Sequence, residues 1–263
     1  MSESTHTIRI RVDVTNPGQF FACCGLLELA ARIRPGAAGC FEANEFVISE
    51  SPSLENLMAS IVAAQLVKLE PADATASPIL IPAPFGVCLD WWKTGDRASS
   101  DLKVWAGTME SFRIARAMQH AMRAPEFSTA DMFNIGTVAF DPDDALTKVE
   151  PFYFDARRGP NAHSRDVGFA PNDLGMTTIA SPAVEFLCLV GLQRVRPVPT
   201  GKPRIFDYHT WARLLPPEVA PAAAAGLLPA VGAHGYRFES WFRTGQRKHK
   251  AFITAKPTTT HQA

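Results

Sequence analysis

The sequence predicts an α+β fold, a mixed or antiparallel sheet with packed helices. Three observations carry this. His6–Val14 alternates apolar and polar residues with the period of a half-exposed strand. The first hundred residues read strand, helix, strand, helix, strand, an order compatible with a split βαβ, ferredoxin-like or RRM-like unit whose connectivity the sequence leaves open. Two segments, "TNPGQFFACCGLLELAAR" and "SPAVEFLCLVGLQRVRP", are apolar around nearly the whole helical circumference, so each must be enclosed by other elements.

In the first strand Ile8, Ile10, Val12 and Val14 share one face, and Arg9, Arg11 and Asp13 the other. Asn16 is a good helix N-cap, and Pro17 suits the first helical position, where its missing N–H costs nothing. The helix is expected to run to about Ile33, ended by Pro35-Gly36, with Gly25 permitting close approach of another backbone. A hairpin in "CFEANEFVIS", a helix in "SLENLMASIVAAQLVKLE" and one or two strands in "ILIPAPFGVCLDWWK" follow. In the last of these, Val87, Leu89 and Trp91 are expected on one face and Cys88, Asp90 and Trp92 on the other. Thr108–Arg123 is the clearest amphipathic helix: Ile114, Met118, Ala121 and Met122 lie on one side. Arg113, Arg116, His120 and Arg123 fall on another, within a sector of about 80° at 100° per residue. Next come acidic "DPDDALTKVE", strand-like "PFYF" and a polar loop, "DARRGPNAHSRDVGFAPNDLG". The second enclosed helix carries Ser181 as cap, Pro182 as first residue and Arg194 near its negative end. An Ala/Pro-rich connector or short helix precedes a final hairpin, "YRFESWFRTGQRKHKAFITA", with Thr244-Gly245-Gln246 at its tip. The chain divides into regions 1–125 and 126–263, or forms a single domain.

Twenty-six basic residues balance twenty-six acidic ones, so only local charge can indicate partners. Residues 42–73 are acidic, whereas 194–213 and 237–256 are basic; they contain Phe206, Tyr208, Trp211, Phe238, Trp241 and Phe242, with Tyr236 just ahead of the second. Basic side chains neutralise phosphates and aromatic faces stack on unpaired bases, so this pattern points to nucleic acid, against the alternative of a solvated surface over core aromatics. No signal peptide and no membrane-spanning run is visible, which makes the cytoplasm the expected location. The five cysteines are odd in number and irregular in spacing, arguing against a zinc site. Cys23 and Cys24 read as inert core thiols, because reactive thiols need electropositive, partly exposed surroundings.

Asp155, His163, Asp166 and Asp173 share one loop and could hold a divalent ion, but the interleaved Arg157, Arg158 and Arg165 offer ion pairing as a sufficient explanation. Neither a nucleophile elbow nor a phosphate-binding loop is present; the Gly-Lys of "RVRPVPTGKPR" is followed by Pro203 where such a loop needs Ser or Thr.

"RVDVTNPGQFFACCGLLELA", "LDWWK", "FYFDARRG" and "SPAVEFLCLVGLQRVRP" together resemble the small CRISPR-associated protein of type I-U (type I-G) systems, regarded as a reduced large subunit of the effector complex. The resemblance spans most of the chain, although what matches is mainly scaffolding. It implies a non-catalytic subunit without cofactor, whose partners are guide RNA, target DNA and the backbone and repeat-processing subunits. The alternatives are a backbone-type RNA-binding subunit with an RRM-like fold and a metal-dependent nuclease using the Asp155–Asp173 loop.

The basic candidates come from charge and not from the resemblance. Arg113, Arg116 and Arg123 form a helix face suited to a phosphate backbone. Arg157, Arg158 and Arg165 in the polar loop, and Arg243, Gln246 and Arg247 at the hairpin tip, are planar donors suited to reading bases flanking a target. Lys248 and Lys250 add charge beside that tip.

Overall fold

The computed structural model describes residues 5–73, 75–94, 98–105, 109–158, 178–242 and 250–258. It is α+β, with antiparallel sheets and packed helices. Strand β1 (His6–Arg11) leads through Asn16 into α1 (Pro17–Ile33), followed by β2 (Ala38–Glu42) and β3 (Glu45–Ser51). Their sheet order is β1-β3-β2, all antiparallel neighbours, so β3 is inserted between the two strands that α1 connects: a split βαβ. The two-residue β2–β3 turn places Ala43 at φ 51° and brings Glu42 opposite Glu45. Arg9 on β1 offsets that like-charge pair, reaching both carboxylates at 3.0 and 2.9 Å.

Helix α2 (Leu54–Ala63) is shorter than its sequence pattern predicts. Its C-terminus is stopped from outside: the Gln119 amide donates to the carbonyls of Ile61 and Ala64, both at 2.7 Å. The continuation turns into β4 (Val67–Lys68), which pairs with β5 (Ile79–Ile81) and not with β1; β5 in turn pairs with β6 (Val87–Leu89). The unit is therefore β-α-β-β-α without the fourth strand of a ferredoxin-like sheet beside β1. Strand β6 ends at Leu89; Val87, Leu89 and Trp91 are buried and Cys88 and Asp90 exposed, as the alternation predicts, whereas Trp92 is buried as well, and the two indole N–H groups donate to Leu189 and Ala76 carbonyls at 2.9 Å.

A short pairing of β7 (Lys93–Thr94) with β8 (Ala98–Ser99) precedes α3 (Ser111–Ala121). The acidic segment forms a hairpin, β9 (Phe140–Asp141) and β10 (Asp144–Lys148). Pro151–Phe154, read as a strand from sequence, is buried but belongs to no sheet; Tyr153 sits at φ 72°. Helix α4 (Pro182–Arg194) follows. The remaining strands β11 (Val198–Pro199), β12 (Ile205–Thr210), β13 (His234–Phe242), β14 (Lys250–Phe252) and β15 (Lys256–Pro257) build the second large sheet, with the one-turn helix α5 (Ala220–Ala224) between β12 and β13.

Helix α1 is the centre of the molecule. Phe20 stacks on Phe41 of the first sheet at 5.2 Å and packs on Tyr208 of the second at 4.4 Å, while α4 covers a third side. This three-sided enclosure is why its sequence shows no polar face. Cys23, Cys24 and Cys188 are buried there, and burial pushes their thiols far above the range in which they ionise. One hydrophobic cluster runs from Ile8 to Ala255, crossing the junction near residue 125. Tyr208 and Trp211 tie the two sheets through polar tips, donating to Val14 and Gly39 carbonyls at 2.7 and 2.8 Å.

Candidate functional site

Two places gather polar chemistry: a buried node where α1 begins, and a cationic cluster at the β13–β14 end. The node starts at Asn16. Its Oδ1 accepts from Gly18 and Ala156 N–H, both at 3.1 Å, and its Nδ2 donates to Asp155 Oδ1 at 2.7 Å. The Asn amide carries its donor on a separate atom from its capping oxygen, so one side chain closes α1 and fastens it to a segment 139 residues away. Asp155, fully buried, also receives the Arg157 guanidinium at 2.7 Å and the Arg157 N–H at 3.0 Å. Burial alone would raise the Asp155 carboxyl, but Arg157, Ser181 and Asn16 hold it below the usual range. Arg157 continues to Asn134 Oδ1 at 2.9 Å and the Phe133 carbonyl at 2.5 Å, and Arg158 donates to Ser181 Oγ at 3.2 Å. Ser181 thus receives Arg158 and makes no side-chain cap of α4.

Beside this node, Glu185 is enclosed and accepts from the Phe154 and Asp155 N–H groups at 3.2 and 3.1 Å. Burial, aided by the Asp155 charge, raises its carboxyl to about 8. Between about pH 4.3, where Glu titrates in an unfolded chain, and about 8, the folded protein keeps a proton that the unfolded chain has released. Stability from Glu185 is therefore complete at low pH and falls as pH rises through that window. Asp155 acts oppositely, contributing above its unfolded value and losing that contribution as pH falls through its lowered one. We expect the thermal midpoint of Glu185→Gln, relative to wild type, to gain steadily between pH 5.5 and 8.5; a constant difference would show that Glu185 does not titrate there.

Of the sequence candidates, Arg113 and Arg116 are neutralised by the β9–β10 hairpin, meeting Asp141 and Asp143 at 2.5 Å each. Arg123 is exposed and makes no ion pair among the described residues. Arg157, which is exposed, and the half-buried Arg158 are tied to the buried Asp155 and Ser181 of the node. Arg165, Arg243, Gln246, Arg247 and Lys248 lie outside the described residues, as do His163, Asp166 and Asp173 of the carboxylate loop. Among the described residues, no group of three His, Cys, Asp or Glu side chains could hold a metal ion, and no helix is long and apolar enough to cross a membrane.

Lys250 enters the second site. It stands opposite Phe242 in the β13–β14 ladder, and its N–H donates to the Val104 carbonyl at 3.0 Å. That contact brings Lys103 alongside, its ammonium 5.3 Å from the Trp105 ring centre. Across the ladder, Arg204 lies over the rings of Phe242 and Trp241 at 4.8 and 5.7 Å. Burial lowers both lysine ammonium groups, and Arg204 and Lys103 lower Lys250 further; Asp73 and Asp101 oppose this only partly. Sequence reading had Arg204 inside a basic segment and Trp241 among its aromatics. It missed Lys103, because "DLKVW" carries no local sign that it will meet residue 250.

No protein-family model matches the chain, and no curated protein or solved structure matches it.

Proposed function

We propose that the chain is a nucleic-acid-binding, non-catalytic subunit of an RNA-guided type I-U (type I-G) CRISPR effector complex. The observation that carries the nucleic-acid part is the gathering of Lys103, Arg204 and Lys250 beside Trp241 and Phe242, cations and aromatic rings on one edge of a sheet. The resemblance of the strand–cap–helix, "LDWWK" and "FYFDARRG" segments to that CRISPR-associated family supplies the assembly. In this reading the guide RNA and the opened target DNA are the ligands, and the backbone and repeat-processing subunits are the neighbours.

Co-expression of the chain with a guide RNA and those two subunits tests the assembly. The complex is expected to retain the chain through size-exclusion chromatography at a fixed stoichiometry, and to bind target DNA more weakly when the chain is omitted. A complex that assembles and binds its target equally well without the chain would refute the proposal.

A further inference from the structure

Three cations that are partly or largely buried lie together, and the nearby charges of Asp73 and Asp101 act on the two lysines without forming an ion pair with them among the described residues. Arg9, Arg11, Arg113, Arg116, Arg194 and Arg237 each hold a carboxylate. Lys103, Arg204 and Lys250 make no ion pair among the described residues; Lys250 Nζ donates only to the Asp101 backbone carbonyl, at 3.1 Å. Two buried donors beside them, Arg204 Nε and Trp105 Nε1, have no acceptor among the described residues. Arg204 also holds a left-handed backbone, φ 62°, while its carbonyl accepts from Ser240 N–H at 2.9 Å, so the chain fixes this guanidinium at a strained position. Buried cations and unpaired donors are costly unless an anion completes them. On the same edge, Trp241 is 43% exposed, a large aromatic side chain left open to solvent next to the cations.

We propose that Lys103, Arg204 and Lys250 bind successive phosphates of a single-stranded nucleic acid, and that Trp241 stacks on one of its bases. The single strand follows from Trp241: a ring face can stack only on a base that is free of its partner strand, whereas a duplex would offer the cations phosphate alone. Arg204 over the same rings extends the stack from the protein side. This inference rests on the nucleic-acid reading above and names its ligand and its contacts.

The test is fluorescence anisotropy of the full chain with a labelled fifteen-nucleotide single strand, RNA and DNA in turn, and with the matching duplex, over a range of salt. Wild type is expected to prefer the single strand. Arg204→Ala/Lys250→Ala should reduce the slope of log affinity against log salt by about 1.4, near 0.7 for each lost contact. Trp241→Ala should weaken single-strand binding roughly tenfold, leave the salt slope unchanged and quench the ligand-induced change in tryptophan emission. Should Lys250→Ala fail to fold, Arg204→Ala/Trp241→Ala carries the same comparison with a slope change of about 0.7. Wild-type binding that survives these changes would overturn this site while leaving nucleic-acid binding in place elsewhere. Preference for the duplex, or no binding by the isolated chain, would also overturn it. Retention in the assembled complex is measured separately, so failure of the subunit reading is distinguishable from failure of this site.

Discussion

Gly25→Ala is expected to destabilise the protein by at least ~3 kcal/mol, against the gain of about 1 kcal/mol that alanine brings to an ordinary helix interior. A Cβ at residue 25 would collide with the Leu187 carbonyl oxygen and come within 2.9 Å of the Gly191 nitrogen; a Cβ at residue 191 would collide with the Phe21 carbonyl oxygen. These obstacles are backbone atoms, so relief requires α1 and α4 to move apart. That separation would loosen the layer between the two sheets, where Phe20, Phe21, Leu187 and Cys188 are buried. Gly191→Ala should cost as much, and the double variant much less than the sum, because helices already separated for one methyl accommodate the other. Urea unfolding of the four proteins measures this cycle. Additive losses, or a neutral Gly25→Ala, would show that the crossing is not close in solution.

Asp155→Ala should cost about 1–3 kcal/mol, the range for leaving a buried donor unsatisfied, because its charged partner Arg157 is exposed and stays hydrated. The carboxylate collects Asn16 Nδ2, the Arg157 N–H and the Arg157 guanidinium; removing it leaves the buried Asn16 Nδ2 without its acceptor, while the exposed guanidinium keeps Asn134 and the Phe133 carbonyl. Asp155→Asn keeps the shape and one acceptor and should cost less. Asn16→Ala should fall near Asp155→Ala, since it removes the cap of α1 together with the link to Asp155. In thermal unfolding, about 1–3 kcal/mol corresponds to a fall on the order of 5 °C for a chain of this size. Equal stability of wild type and Asp155→Ala would mean that Arg157 and Asn16 find other acceptors and that the node does not join the segments. The same result would remove the structural explanation for this aspartate and return attention to the carboxylate loop of which it is the first member.

Local pattern made much of the fold legible. Period-two alternation marked β1, the Asn16-Pro17 cap marked where α1 begins, and absence of a polar face marked α1 and α4 as enclosed helices. The thiols of Cys23 and Cys24 followed from that enclosure. These properties concern a residue's own neighbours along the chain, and side-chain type encodes them directly. The end of α2 did not follow, because the group that terminates it, Gln119, comes from another helix. Nor did the use of Arg113 and Arg116: their spacing predicts a basic stripe, but the β9–β10 hairpin delivers Asp141 and Asp143 onto it.

Of the cationic site, the sequence by itself marked Lys250, the basic segment around Arg204 and the aromatic Trp241. Only the tertiary structure added Lys103, withdrew Arg157 into a tie with Asp155, and showed that Gly25 and Gly191 face each other. The physical reason is the same in each case. Periodicity says which side of an element is buried, whereas which group buries it depends on contacts such as Asn16 with Asp155 or Lys250 with Val104, between residues more than a hundred positions apart. Those contacts are fixed by the packing of the whole core around α1, not by any window of sequence.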